Sequence, residues 1–148
     1  GTASGDRVRV RPDGLTELTI DVDVRRHRIF TRNDDDLLID VSISYLDALL
    51  GGEIEVPTIE GKKARLNIPQ GTPSVQQFRL RQKGMSILRQ NRRGDMYVVT
   101  NVEIPVNLTK KQKEAIEEFE NLGGTSKAHS PKSQGFFGKI KEAWEDLK

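Results

Sequence analysis

The feature that most limits the fold is a two-residue alternation of apolar and polar side chains, repeated over the first hundred residues and broken by proline and glycine. Residues 18–24, Leu-Thr-Ile-Asp-Val-Asp-Val, alternate in this way, and so do 38–43, where Ile39, Val41 and Ile43 share one face. This period belongs to strands with one buried face, because successive strand side chains point to opposite sides. Ile54-Glu55-Val56 continues the pattern and stops at Pro57, which has no N–H to give to a ladder. Glu60-Gly61-Lys62 reads as a turn into a strand over 64–68. Residues 78–81 form another short run, and 96–106 is the longest strand candidate, with Pro105 near its end. One short helix is expected over 46–50, closed by Gly51-Gly52. Together these elements predict a mainly β domain, an antiparallel two-sheet, sandwich-like arrangement.

Beyond residue 107 the period changes. Thr109-Lys110-Lys111-Gln112 has the capping-box pattern that opens a helix. Ala115, Ile116, Phe119 and Leu122 then recur at helical spacing, which predicts one packed helix ending at Gly123-Gly124. Lys110, Lys111 and Lys113 stand where the helix dipole disfavours cations, so packing of Ile116 and Phe119 is expected to outweigh them. Residues 123–135, rich in Gly, Ser and Lys, read as a linker. Over 136–148, Phe136, Phe137, Ile140, Trp144 and Leu147 fall on one helical face, and that segment holds three of the chain's aromatic residues. A helix this short is marginal alone in water, so its apolar face needs a cover on its own domain or on a second subunit. The expectation is a homodimer through this helix. The domain reading is a 1–17 tail of a preceding domain or an appended linker, a β domain over 18–122, a linker over 123–135 and a dimerisation helix over 136–148. Gly1 is not a starting Met, which reads as a fragment.

Composition removes several function classes. The 24 basic and 22 acidic residues leave a net charge of +2, too balanced for bulk attraction to nucleic acid or an anionic membrane. With no cysteine and two histidines, disulfides, thiolate metal sites and cysteine nucleophiles are all excluded. No apolar run approaches the ~20 residues of a membrane span, and no signal pattern opens the chain. A cytoplasmic location is expected. Asp34-Asp35-Asp36 could gather a cation, but beside Asn33 it reads better as a solvated turn. His27 sits between Arg26 and Arg28 with no nucleophile motif nearby, and no phosphate-binding glycine loop is present. The chain is therefore not expected to be an enzyme.

Two binding surfaces remain as candidates. Arg79, Arg81, Lys83, Arg89, Arg92 and Arg93 occur with no intervening acid. They form either a site for nucleic acid or another anionic partner, or a solvated strand and loop. The strand face of Ile39, Val41, Ile54 and Val56, reaching Phe78 and Leu80, forms either an open groove for extended peptide or plain core.

A series of motifs bears on this choice. His27-Arg28-Ile29-Phe30-Thr31-Arg32 followed by Asp36-Leu37 is similar to a signature of the DnaJ family. In family order follow the block from Ala48 to Thr58, Ile68-Pro69 with Gly71-Thr72, and Phe78-Arg79-Leu80-Arg81 with Lys83-Gly84. Arg93-Gly94-Asp95 and Asn107-Leu108-Thr109 with Gln112-Lys113 come next. Phe136-Phe137 with Lys139-Ile140-Lys141 resembles the tail of bacterial members. The resemblance implies the second of two client-binding repeats and a dimerisation segment of a co-chaperone. Such proteins deliver unfolded polypeptide to a DnaK-type ATP-dependent chaperone. It also implies what this chain lacks: the His-Pro-Asp of the J domain and the Cys-rich module that carries zinc in full-length relatives. No cofactor is expected.

Overall fold

The structure, a computed structural model, describes residues 1–12, 14 and 16–148. Residues 13 and 15 of the expected 1–17 tail lie outside the described residues. The chain divides into two compact units, Gly1–Ile104 and Pro105–Lys148.

The first unit is built from strands. The elements are β1 (Arg7–Val10), β2 (Leu18–Asp21), β3 (Thr31–Asn33), β4 (Asp36–Ser44), α1 (Tyr45–Leu50), β5 (Gly52–Pro57), β6 (Lys63–Ile68), β7 (Gln76–Leu80) and β8 (Met96–Glu103). A four-stranded sheet in the order β3-β4-β8-β7 is accompanied by two ribbons, β1-β2 and β5-β6. Strand β1 falls inside the expected tail and pairs with β2, Val8 opposite Ile20 and Val10 opposite Leu18. Its Arg-Val-Arg-Val alternation is four residues long, too short to stand out as a period.

One pairing departs from the antiparallel expectation. β4 runs parallel to β8, from Leu37 opposite Met96 to Ser44 opposite Glu103. Parallel neighbours need a long crossover. Here α1, β5, β6 and β7 supply it, returning the chain to the end of the sheet where β4 began.

The core follows the alternation. Leu37, Ile39 and Ile43 of β4 and Met96 and Val98 of β8 are buried together with Val56, Leu66 and Ile68 of the β5-β6 ribbon. The ribbon's other face is charged, with Glu53 paired to Arg65 at 3.6 Å and Glu55 to Lys63 at 3.5 Å. One face packs and one is wet, which is what the two-residue period demands. Central strand β8 also buries Thr100, whose hydroxyl donates to the Gln76 carbonyl at 3.2 Å. Each large side chain buried here contributes roughly 1.5–3 kcal/mol relative to exposure.

Helix α1 is the helix that packs. Ser44 caps it by accepting from the Asp47 N–H at 3.1 Å, and Ala48 is buried. Gly51 ends it at a φ of 79°. That conformation strains any residue with a Cβ, and a Cβ here would also crowd the Ile68 carbonyl.

The second unit is helical, with α2 (Lys110–Asn121) and α3 (Pro131–Asp146). The capping box of α2 forms on both sides: Gln112 N–H donates to Thr109 Oγ1 at 3.2 Å, and Thr109 N–H to Gln112 Oε1 at 2.8 Å. The helix expected to pack over 109–122 buries no residue; Ile116 and Phe119 are each about half exposed. Its amphipathic pattern is real, but the pattern says only that a face exists to be covered. Helix α3 starts before residue 136, inside the expected linker, because Pro131 occupies the first turn. There a missing N–H costs nothing and the fixed φ suits a helix.

Candidate functional site

Unpaired strand edges mark the first candidate surface. β3 covers only Asp36, Leu37 and Leu38 of β4. Among the described residues, β4 from 39 to 44 has β8 on one side and no strand on the other. β5 likewise pairs only with β6. Free edges of this kind accept an extended peptide through main-chain hydrogen bonds, while side chains on alternate positions set preference.

The six residues expected to line a groove do not share one setting. Ile39 and Val56 are 4% and 1% exposed, inside the core, where a peptide reaches them only if the sheets part. Val41, Ile54, Phe78 and Leu80 are partly buried and pack against that core. Phe78 and Leu80 lie on β7, across β8 from β4, so they do not meet Val41 at its free edge. Alternation identifies an apolar face but carries no information on whether another layer covers it. The structure adds residues the alternation did not mark. α1 leads directly out of β4 and exposes Leu46, Leu49 and Leu50 at 52%, 40% and 62%. Their signal was a six-residue helix, Tyr-Leu-Asp-Ala-Leu-Leu, with more apolar side chains than one buried stripe uses.

The basic stretch is partly consumed by structure. Asp95 gathers the loop between β7 and β8. Its carboxylate accepts from the Gln82 N–H at 2.9 Å and from Arg79 Nε at 2.6 Å. Its own N–H donates to Asp36 Oδ1 at 2.7 Å. These contacts, the Gln82 N–H first and then Arg79, hold the Asp95 carboxyl below its ordinary range. The same bond raises the Arg79 guanidinium above its usual value. Arg93 donates to the Gly84 carbonyl at 3.0 Å and pairs with Glu60 at 3.0 Å. Gly94 lies so close to the Asp35 carbonyl that a Cβ would land on it. Thus Lys83-Gly84 and Arg93-Gly94-Asp95 form a knot, and Arg79 and Arg93 are tied within it. Asp34 and Asp35 make the β3-β4 turn, with Asp34 at a φ of 54°. Among the described residues no group of acids, histidines or cysteines could hold a metal ion.

A second candidate surface is α3. Phe136, Phe137, Ile140, Trp144 and Leu147 are 60%, 64%, 47%, 65% and 83% exposed. Phe136 and Phe137 meet edge to face, 5.7 Å between ring centres. This is a continuous apolar face of the kind that soluble monomers rarely leave open.

A β-rich unit with free strand edges is followed in the chain by a helical unit with an exposed apolar face, and both units match models of one family. Residues 1–105 match the family model described as DnaJ C terminal domain. Residues 111–146 match the model described as Chaperone protein DnaJ C-terminal region. A Chaperone protein DnaJ from Paramagnetospirillum magneticum is 49% identical over 157 residues, covering 100% of this chain and 41% of the relative. Those from Rhodospirillum centenum and Acidiphilium cryptum are 45% and 44% identical, covering 100% and 99% of the chain and 41% and 40% of the relatives. The chain belongs to the DnaJ family of chaperones, and it spans about two fifths of the length of these bacterial relatives. No helix of the described residues is long and apolar enough to cross a membrane.

Proposed function

We propose that this chain captures extended apolar segments of unfolded polypeptide and self-associates through α3. In this reading it is a binding module and not an enzyme. It is part of a longer cytoplasmic co-chaperone that hands clients to a DnaK-type ATP-dependent chaperone. The observation that carries the reading is the unpaired edge of β4 over residues 39–44, with Val41 beside it and the open leucines of α1 at its end. Edge pairing reads backbone and so tolerates many sequences, while Val41, Leu46 and Leu49 favour large apolar side chains. The free edge of β5 with Ile54 offers a second run of the same chemistry. Self-association supports the role, because two weak sites on one dimer gain affinity by avidity. A two-fold pair would cover the same apolar face of α3 twice.

The test pairs two readouts, suppression of aggregation of a denatured client and sedimentation. Val41→Thr with Leu49→Asp should weaken client capture by about tenfold, the loss of roughly one buried apolar contact, with an unchanged sedimentation coefficient and circular dichroism. Phe137→Asp should give a monomer that still protects at high concentration. Unaltered capture by the β4 and α1 variant refutes the groove, and a dimeric Phe137→Asp chain refutes the interface.

A further inference from the structure

The link from β2 to β3, residues 22–30, carries Arg25, Arg26, His27 and Arg28, all exposed. Elsewhere arginines answer carboxylates, as Arg7 does Asp21, Arg9 and Arg11 do Glu17, and Arg65 does Glu53. Among the described residues Arg25, Arg26 and Arg28 have no such partner. The link is nonetheless held in place. Phe30 is buried in the core, and the His27 ring lies 4.9 Å from the Phe30 ring. His27 Nδ1 accepts the Ile29 N–H at 3.2 Å. An imidazole accepting at Nδ1 carries its proton at Nε2, so the ring still offers a donor.

Beside this link opens a cleft of about 1120 Å³. Arg25, Arg26 and His27 form one wall, and Phe30, Leu37, Ile59 and Met85 supply apolar surface. Arg32 also lines the cleft, and its guanidinium donates to the carbonyls of Thr2 at 2.6 Å and Asp34 at 2.7 Å. Carbonyls satisfy its hydrogen bonds without neutralising its charge. Asp34 and Asp35 line the cleft as well.

We propose that this cleft binds a short acidic segment of a partner polypeptide, two or more carboxylates around a large apolar side chain. Arginine forks suit carboxylates in pairs, and the apolar floor suits the side chain between them. A polyphosphate chain fits less well. Its unbroken charge would meet Asp34 and Asp35, and a net charge of +2 gives the chain no long-range field to hold it.

The test is fluorescence anisotropy of the full chain with a short labelled peptide alternating Glu and Leu. Its Gln-for-Glu counterpart and an oligothymidylate serve as comparisons. The Glu peptide should bind, the Gln peptide should bind at least about tenfold more weakly, and Arg25→Ser with Arg26→Ser should lose about tenfold, as expected for charged hydrogen bonds. Both arginines are exposed, so this variant keeps its fold, and circular dichroism checks it. Arg81→Ser should leave binding unchanged. The proposal is overturned if the Gln peptide binds equally or if the double variant binds like wild type. Tighter binding of oligothymidylate than of the Glu peptide also overturns it and identifies a nucleic-acid surface.

Discussion

The two units of this chain use apolar side chains in opposite ways. Among the described residues, Gly1–Ile104 gathers ten buried apolar residues from β4, α1, β5, β6 and β8 and the flank of β3 into one core. Pro105–Lys148 buries none, although it holds Phe119, Phe136, Phe137 and Trp144. Both are patterned: one at a period of two, the other at helical spacing. The difference lies in what is available to cover the face. A strand face is covered by the next sheet of the same unit, whereas a pair of short helices has too little surface of its own to do so. The β unit therefore derives its stability internally, and the helical unit leaves its apolar face exposed.

The sharpest way to break this contrast is a matched pair of truncations. Ile68→Ala removes a side chain that is 1% exposed and should destabilise the β unit by about 2–5 kcal/mol. Ile140→Ala, at 47% exposed, should leave the same unfolding transition in place. Urea denaturation followed by the β-sheet circular dichroism signal measures both. A comparable loss from Ile140→Ala would mean that α3 contributes to the β unit's stability.

The next largest effect concerns how a long loop is kept inside the β unit. Asp95 joins β7, the loop that follows it and the start of β4 through Arg79, Gln82 and Asp36. Its carboxyl is held below the ordinary range, so its contribution is fully present above the ordinary value of about 3.9. It is lost as pH falls through the lowered one. Asp95→Asn should therefore destabilise the chain at neutral pH, and the gap from wild type should close as pH drops below about 4. Urea midpoints across that range check it; a gap independent of pH would show that charge is not what Asp95 supplies.

This knot also shows what could be read from the sequence. The strands around Ile39, Val56, Leu66 and Val98, the α2 capping box and the α1 stop at Gly51 were legible, because each follows from local period or cap chemistry. The role of Asp95 was not, since its partners Asp36 and Arg79 are 59 and 16 residues away. The parallel β4-β8 pairing was hidden for the same reason, and so was the burial of Ile39 and Val56. Local pattern states which face is apolar; only the assembled sheets state which face is shut. At the candidate surfaces, α3 was visible as a stripe, whereas the free edge of β4 depends on how short β3 is.

Within the helical unit a smaller comparison is available. α2 is capped on both sides of its first turn, whereas Ser130, at the start of α3, makes no side-chain cap bond. Thr109→Ala should cost α2 about 1 kcal/mol, read as faster amide exchange in its first turns. Ser130→Ala should leave the exchange of α3 unchanged. If both helices respond alike, the asymmetry between their starts has no energetic weight.

The smallest expected effect is a gain, and it lies where the β unit departs from its own local rules. Val75 precedes β7 at a φ of 61°, a conformation that a β-branched side chain rarely takes. Its N–H donates to the Thr100 carbonyl at 2.9 Å, and its side chain is 71% exposed. The hydrogen bond fixes the backbone, so the strain is retained without burial to offset it. Asn tolerates this region and keeps the N–H, so Val75→Asn should stabilise the β unit by about 0.5–1 kcal/mol. Val75→Gly relieves the same strain but gives the unfolded chain more freedom, a roughly equal opposing effect, and should be close to neutral. Thermal unfolding of both variants separates the outcomes. Stabilisation by Asn and not by Gly fits relief of strain. A loss in both would mean that the exposed valine makes a contact the β unit needs, and that its apolar surface is not spent only in the core.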